Sequence, residues 1–451
     1  MGTEFRPIID LVRRHEATAD RWVTVAVARP GGCEHLSLGL HRDEAMAAAD
    51  EEYALLLVKT ALWLRGGCTL LTADEAVYRW LQRAYAPTGA RAFDRAFLSG
   101  IYRLPFQVER RQTLPPEGET PASAAARTEG CRIGIDLGGS DRKAAAVIDG
   151  ETVYTEEVVW QPKTASDLRY HYEGITAALR SAKAHLPRVD SVGISTAGVV
   201  IDGEIRRSSL FMGVEQATYD RLGRDLLARA VRETCGNVPW AASNDGDVAA
   251  LAGAVSLGRR KLLGIALGTS EAGGYVDGSG RITGRLHELA FLPVDVNPLA
   301  PVDPWSGDRG VGERYFSQEG VLRLAGQNGL TPEGETPAGE TPAEKLRWVQ
   351  DRARAGESRA IAAFSELGRL LGLTLPWYQR LTGCESVLLL GRVVDGVGGE
   401  CLVDSCRAAL ESTGVAMEIL LPEASQRRVG QAAAAAFLNS TLNSTLKAGA
   451  I

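Results

Sequence analysis

No stretch of this chain approaches the roughly 18 consecutive apolar residues that a membrane-spanning helix needs. The first residues, MGTEFRPIIDLVRRHE, lack the apolar centre of a secretion signal. A cytoplasmic protein with no membrane partner is therefore the expectation. Cysteine is scarce: the seven, at 33, 68, 131, 235, 384, 401 and 406, are odd in number and form no Cys-x-x-Cys pair. That argues against a disulfide framework and fits a reducing compartment. Excess basic charge is missing too. Lys and Arg number 50 against 56 Asp and Glu, a net charge of -6, so nucleic acid is not an expected partner.

What is present is an ordinary globular composition, 45% hydrophobic and 24% charged, in 451 residues, enough for two to three domains. Residues 1–112 read as one small α/β block. RWVTVAVA (21–28) and EHLSLGL (34–40) read as strands, and 42–65 as a long helix with Ala and Leu at helical spacing. In CTLLTADEAVYRWLQRAY (68–85) a strand leads into a helix, with Thr72 at the cap and Glu75 at the capping-box offset. No catalytic constellation stands out in the block. Three roles are open to it: packing on the rest of the chain, covering a cleft, or joining two copies in a homodimer.

Residues 113–130, TLPPEGETPASAAARTEG, read as a linker. GETPA occurs at 334–338 and again at 339–343, too short a repeat for a solenoid, and 331–345 reads as an exposed loop. LNSTLNSTL is similar in kind and leads into a tail at 441–451. Between the linker and the tail, strands and helices alternate in two rounds, 131–250 and 251–440. The first round includes a hairpin with Asp149–Gly150 at its tip, and 216–236 as one helix closed by glycine. Two such rounds read as two similar halves around a cleft.

Three stretches carry chemistry. GIDLGGSDRK (134–143) puts Asp136 at a strand end before Gly138, Gly139 and Ser140. Glycines let backbone N–H groups approach phosphate oxygens, and a carboxylate can hold a hydrated Mg²⁺; a ligand-free glycine turn has the same appearance. GIALGTSEAGG (264–274) supplies a second such turn at Gly268, Thr269 and Ser270. SNDGDVAAL (243–251) sets Asn244 and Asp245 between a strand and a helix. A carboxylate there can accept a hydroxyl proton and aim that hydroxyl at a γ-phosphate, or it can simply cap the helix.

In this order, from about residue 131 to 438, the motifs resemble those of the ROK family, the sugar kinases and sugar-responsive repressors of the actin-like ATPase superfamily. DLGGS resembles its first phosphate motif and GISTAGVVIDGEI its glycine-rich segment. ASNDGDVAALAG resembles the catalytic segment, ALGTSEAGGYVDGSGRITG the second phosphate motif, HELAFLPV a sugar-binding segment and LLLGRVV the adenosine motif. The resemblance implies two actin-like (ribonuclease H-like) halves around a cleft, here preceded by a small α/β N-terminal domain. It implies ATP and Mg²⁺ as cofactors and a small sugar or polyol as substrate. By position, Asp245 is the general base, and Asn244, Glu288 and Glu313 bind other hydroxyls. Asp136 serves Mg²⁺ through water. Gly138, Gly139, Ser140, Gly268 and Thr269 serve the phosphates, and Gly391 the adenosine.

ROK proteins usually hold a zinc with one His and three Cys. The His lies three positions after the sugar-binding Glu, and the cysteines lie in a CxCGxxGCxE loop. Here Phe291 stands at the His position, and PWSGDRGVGE puts Pro304, Ser306 and Val311 at the Cys positions. Tetrahedral zinc needs N, S or carboxylate donors, which Pro, Val and Phe do not offer. No zinc is therefore expected, and packing through Phe291, Trp305 and Val311 is expected to hold the loop. Phe291 would also give the sugar pocket an apolar wall, so the substrate is expected to differ from glucose or N-acetylmannosamine. Other departures are Asp141 and Arg142 in the first motif, Ser270 and Ala272 in the second, and Arg392 and Val393 in the adenosine motif.

Three functions fit. An ATP-dependent kinase is favoured by Asn244, Asp245, Asp136 and both glycine turns. A ROK-type transcription regulator would need an N-terminal winged helix-turn-helix, which residues 1–112 do not resemble. A catalytically weakened sugar or nucleotide sensor is favoured by Phe291, Asp141 and Arg392.

Overall fold

The computed structural model describes residues 4–118, 127–330, 341–422 and 426–438. The 334–338 copy of the GETPA repeat, most of the linker's second half and the 441–451 tail lie outside them. The chain is a mixed α/β fold in two compact units. One comprises Met1–Thr120, Ile265–Gly273 and Arg285–Leu421; the other comprises Pro121–Gly264, Gly274–Gly284 and Pro422–Ile451.

The first unit opens with α1 (Ile8–Thr18). The hairpin β1 (Arg21–Arg29) and β2 (Gly32–Leu40) follows, then α2 (Ala47–Arg65), β3 (Thr69–Thr72), α3 (Glu75–Ala84), α4 (Ala92–Tyr102) and β4 (Gln107–Arg110). The four strands form one sheet in the order β2–β1–β3–β4. Two local details differ from the sequence reading. The α2 start is delayed, because the Asp43 carboxylate accepts from Ala45 N–H and opens a 3₁₀ turn over Glu44–Met46 first. The cap of α3 is Asp74, which accepts from Val77 N–H at 3.0 Å. Thr72 is still strand, and its hydroxyl donates to Thr24 O at 3.0 Å. After β4 the chain lies against β2: Cys33 and Gly118 exchange both backbone hydrogen bonds at 2.9 Å, and Glu117 accepts from His35 N–H.

The second unit is built on a five-stranded sheet. Its strands are β5 (Cys131–Leu137), β6 (Asp141–Ile148), β7 (Glu151–Val159), β8 (Ser191–Thr196) and, after the small hairpin of β9 (Val199–Ile201) and β10 (Glu204–Arg207), β11 (Trp240–Asn244). The order is β11–β8–β5–β6–β7. The β6–β7 turn uses Asp149 and Gly150, both at positive φ, 49° and 88°, as a two-residue hairpin requires. Helix α5 (Leu168–Lys183) packs its Ile175, Ala178, Leu179 and Ala182 face on Ile133, Ile135, Val192 and Ile194. The single helix expected over 216–236 is two, α6 (Gln216–Leu222) and α7 (Leu226–Cys235), parted at Gly223, where a Cβ would lie 2.5 Å from the Tyr219 ring. α8 (Asp245–Leu257) follows β11.

β12 (Leu262–Leu267) and β13 (Glu271–Val276) then join a second sheet. After α9 (Gln318–Gln327), α10 (Pro342–Arg354) and α11 (Ser358–Thr382) come β14 (Ser386–Leu390), α12 (Gly396–Ser412) and β15 (Glu418–Leu420), giving the order β13–β12–β14–β15. The 339–343 copy of GETPA has a defined end: Thr341 and Glu344 form a capping box on α10. The closing helix, α13 (Gln426–Ala435), returns to the second unit's sheet. There a Cβ on Gly193 would meet Ala435 O at 1.6 Å, so only glycine lets that helix backbone lie on the strands.

Candidate functional site

The candidate residues fall into two groups, one in each unit. In the second unit β5 delivers Asp136, which is 5% exposed, to the turn of Gly138, Gly139 and Ser140. Its Oδ1 accepts from the Ser195 hydroxyl at 2.6 Å, and Lys143 Nζ lies 3.7 Å from its Oδ2. Lys143 is also hydrogen-bonded to Asp141. The extra acid of this turn is therefore neutralised beside it. Burial raises the Asp136 pKa against the opposing effects of Ser195 and Lys143. Trp160 Nε1 donates to Gly138 O at 2.8 Å and pins the turn.

β11 ends at Asn244 and α8 opens at Asp245. The cap is Asn244: its Oδ1 accepts from Gly246 N–H at 2.7 Å, and its Nδ2 donates to Gly198 O at 2.8 Å. Both ends of this amide are thus engaged within the protein. Asp245 Oδ1 shares the Gly246 N–H at 2.9 Å, and Gln431 donates to the Asp245 carbonyl at 3.0 Å. Burial, and then the Asp136 charge, raise the Asp245 pKa to about 7. Ser195 and Gln431 were not singled out in the sequence. They are ordinary residues of a strand and a helix, and only the fold brings Ser195 to the Asp136 carboxylate and Gln431 to the Asp245 carbonyl.

In the first unit Gly268 accepts, through its carbonyl, from Gln318 N–H, the first residue of α9, at 2.8 Å. Thr269 and Ser270 are exposed in the turn, and the Ser270 hydroxyl donates to Glu313. Burial raises the Glu313 pKa. Gly391 has φ 93°, and a Cβ there would lie 2.4 Å from Leu267 O. Arg392 is exposed, and its carbonyl accepts from Gln350 Nε2 at 2.7 Å.

Glu271 was also missed, because nothing in SEAGG marks it as interior. It is 2% exposed, and its Oε1 accepts from the Tyr378 hydroxyl at 2.9 Å. A Cβ on Gly312 would sit 2.1 Å from its Oε2, so glycine is required beside Glu313. Burial pushes its pKa up from 4.5 to about 8. The folded chain therefore holds this carboxyl protonated near neutrality. Its contribution to stability is full below about 4.5 and is lost as pH rises through about 8. Glu271→Gln is expected to remove a loss of about 2 kcal/mol between about pH 6.5 and about pH 9. Urea unfolding at both values measures it.

The departures around the would-be metal loop have a structural counterpart in the N-terminal block. The C-terminal carbonyls of α2, which have no partner within the helix, accept from the sugar-type segment: Trp63 O from Glu288 N–H at 3.1 Å and Leu64 O from His287 N–H at 3.0 Å. The Phe291 ring, 7% exposed, stacks on Trp63 at 4.2 Å. It is taken up by that stack rather than presented as a bare wall. Trp305, 53% exposed, meets Phe93 edge-on at 5.0 Å and Phe291 at 5.3 Å, while Val311 is fully buried. Within the loop Asp303 Oδ2 accepts from Ser306 N–H and Oγ at 2.7 and 2.6 Å. Asp308 is held by Lys59 at 2.8 Å and by Arg91. Lys59, itself fully buried, also pairs with Asp94 at 2.8 Å. Lys59→Met leaves the buried Asp94 without a counter-ion, while Asp308 keeps Arg91, and is expected to cost about 3–5 kcal/mol in chemical denaturation.

The chain belongs to the ROK family, whose sequence model matches residues 132–433, and it has the mixed α/β, actin-like ATPase fold of that family. Among solved structures it resembles a ROK family glucokinase from Streptomyces griseus in complex with glucose and AMPPNP, at 24% identity and TM-score 0.52, covering 68% of this chain and 98% of that one. It also resembles a ROK hexokinase from Thermus thermophilus, at 20% identity and TM-score 0.51, covering 68% and 97%. A third is a ROK family transcriptional regulator, a homolog of the E. coli MLC protein, at 18% identity and TM-score 0.53, covering 68% and 77%. No curated protein matches. No helix among the described residues is long and apolar enough to cross a membrane.

Proposed function

We propose that this ROK protein is an ATP-dependent kinase that phosphorylates a hydroxyl of a sugar or polyol. The observation that carries the reading is Asp245, a carboxyl at the first residue of a helix with its pKa near 7. Such a group is ionised in large part at neutral pH, yet basic enough to take a hydroxyl proton as the hydroxyl attacks. Asp136 fits a hydrated Mg²⁺: it is a carboxylate at a glycine turn, with Ser195 on one oxygen and Lys143 near the other. Mg²⁺ would neutralise charge on the transferring phosphoryl group. Gly138, Gly139, Ser140, Gly268 and Thr269 serve the phosphates and Gly391 the adenosine. Glu288 and Glu313 hold other hydroxyls of the substrate. Asn244, with both ends of its amide engaged, orients Asp245 in addition to any substrate contact.

The sensor reading drew on Phe291, Asp141 and Arg392, and the pairing of Asp141 with Lys143 weakens the second of these alone. The regulator reading would need an N-terminal winged helix-turn-helix, whereas residues 4–112 hold a four-stranded sheet and four α-helices. ADP release from ATP and Mg²⁺ over a panel of hexoses, amino sugars and polyols tests the proposal. Turnover on one compound class is expected. Saturable sugar binding without turnover anywhere in the panel would replace the kinase with a sensor.

A further inference from the structure

We propose that His15, His41 and Asp50 form a binding site for a divalent first-row transition ion such as Zn²⁺, within the N-terminal block and away from the loop where ROK proteins usually carry zinc. One ligand atom from each lies within 4.8 Å of the others, the one such group among the described residues. The three come from different elements: the last turn of α1, the residue after β2 and the first turn of α2. Their side chains are only 7%, 7% and 2% exposed. Nothing in the sequence joins them, since His-to-Asp spacings across three elements match no local ligand motif.

The hydrogen bonds are compatible with a cation. The Thr18 hydroxyl, with one hydrogen to give, lies 3.1 Å from His15 O and 2.9 Å from His41 Nε2. In the tautomer where it donates to His15 O and accepts from His41 Nε2–H, the neutral ring turns its Nδ1 lone pair to Asp50 Oδ1, 2.7 Å away. In that tautomer two electron-rich atoms meet, and a cation between or beside them would bind both. His15 Nε2 converges on the same oxygen at 3.1 Å, and it is buried without a hydrogen bond. Asp50 Oδ2 is occupied by the His41 N–H at 2.9 Å, which fixes the carboxylate and leaves Oδ1 inward.

The distances suit an ion. Ligands at about 2.0–2.2 Å in tetrahedral geometry stand roughly 3.4 Å from one another. The 3.1 Å gap falls within a few tenths of an ångström of that, and the 2.7 Å gap, about 0.7 Å short of it, would open as the ion enters. The outer contacts resemble those of metal-bound imidazoles: Thr18 Oγ1 lies 2.9 Å from His41 Nε2, placed to accept its N–H once Nδ1 binds the ion, and Tyr53 stacks on His15 at 4.1 Å. Two nitrogens and one oxygen favour Zn²⁺ or Co²⁺ over Mg²⁺ or Ca²⁺, which prefer oxygen alone. Water would complete the shell. The ion would tie α1 and β2 to the start of α2, the helix whose other end holds Glu288 and Phe291. The proposal stands independently of the kinase reading.

The test uses the full chain freed of metal by a chelator. Zn²⁺ and Co²⁺ are titrated by calorimetry, with thermal unfolding and the Co²⁺ visible spectrum as further readouts. The expected result is one ion per chain, a higher Tm with Zn²⁺ but not with Mg²⁺ or Ca²⁺, and Co²⁺ bands of nitrogen and oxygen ligation. His15→Gln and Asp50→Asn should each weaken binding by more than about tenfold. Absence of saturable binding would overturn the proposal and leave the His41–Asp50 contact as an ordinary hydrogen bond. Unchanged affinity in both variants, or an intense thiolate-to-Co²⁺ band, would also overturn it by placing the ion elsewhere. If a variant fails to fold, the wild-type Co²⁺ spectrum and stoichiometry still decide.

Discussion

Asp245→Asn is expected to lower kcat by about 10²–10⁴-fold, the usual contribution of a positioned general base. Asparagine keeps the size and an oxygen for the Gly246 N–H, so the helix start should survive. It cannot take the hydroxyl proton. Nucleotide and sugar affinity should stay close to wild type, which separates loss of chemistry from loss of binding. The pH profile adds a second readout. With the carboxyl pKa near 7, wild-type kcat/KM should rise with pH and level off above about 7. The variant's residual activity should lack that limb. Stability should move the other way. Burial favours the protonated carboxyl, so its contribution to stability is full below about 3.8 and is lost as pH rises through about 7. Above that pH the Asn chain is expected to unfold at higher temperature than wild type.

Trp63→Ala is expected to cost about 3–5 kcal/mol of stability, because a fully buried Trp leaves a cavity that the packed surroundings fill only in part. The loss should exceed a simple core defect in one respect. Trp63 stacks on Phe291, gives its N–H to Asp94 at 2.9 Å and lies under Lys59 at 5.3 Å. Asp94 and Lys59 lead on to Asp308 in the 304–313 loop. The Trp63 carbonyl holds the backbone of Glu288. Loosening it should raise KM for the sugar more than KM for ATP, since Glu288 is a proposed sugar ligand. Denaturant midpoints and the two KM values, measured on one preparation, separate the effects. Equal changes in both KM values would mean that the N-terminal block supports the fold without positioning the sugar residues.

This N-terminal clamp was not legible in the sequence. Trp63 and Phe291 are far apart in the chain, and each reads locally as an ordinary apolar residue. The loss of the usual His and Cys ligands around the loop was legible, because donor chemistry belongs to single residues. What packs there instead depends on the tertiary fold. The positions of Asp136 at a strand end and Asp245 at a helix start were also legible, since glycine turns and strand-to-helix junctions mark themselves in a few residues. Which of Asn244 and Asp245 caps α8 was not, because either side chain can reach the same N–H. The break at Gly223 escaped for a similar reason: periodicity carries across it, and only the Tyr219 ring requires glycine there.

The central claim is phosphoryl transfer to a hydroxyl, and ³¹P NMR of a reaction with ATP, Mg²⁺ and the best sugar of the panel tests it most directly. The account predicts one new phosphomonoester resonance that grows as the γ-phosphate signal falls, and that is absent with Asp245→Asn. Inorganic phosphate alone, or an unchanged spectrum while nucleotide and sugar both bind, would contradict it.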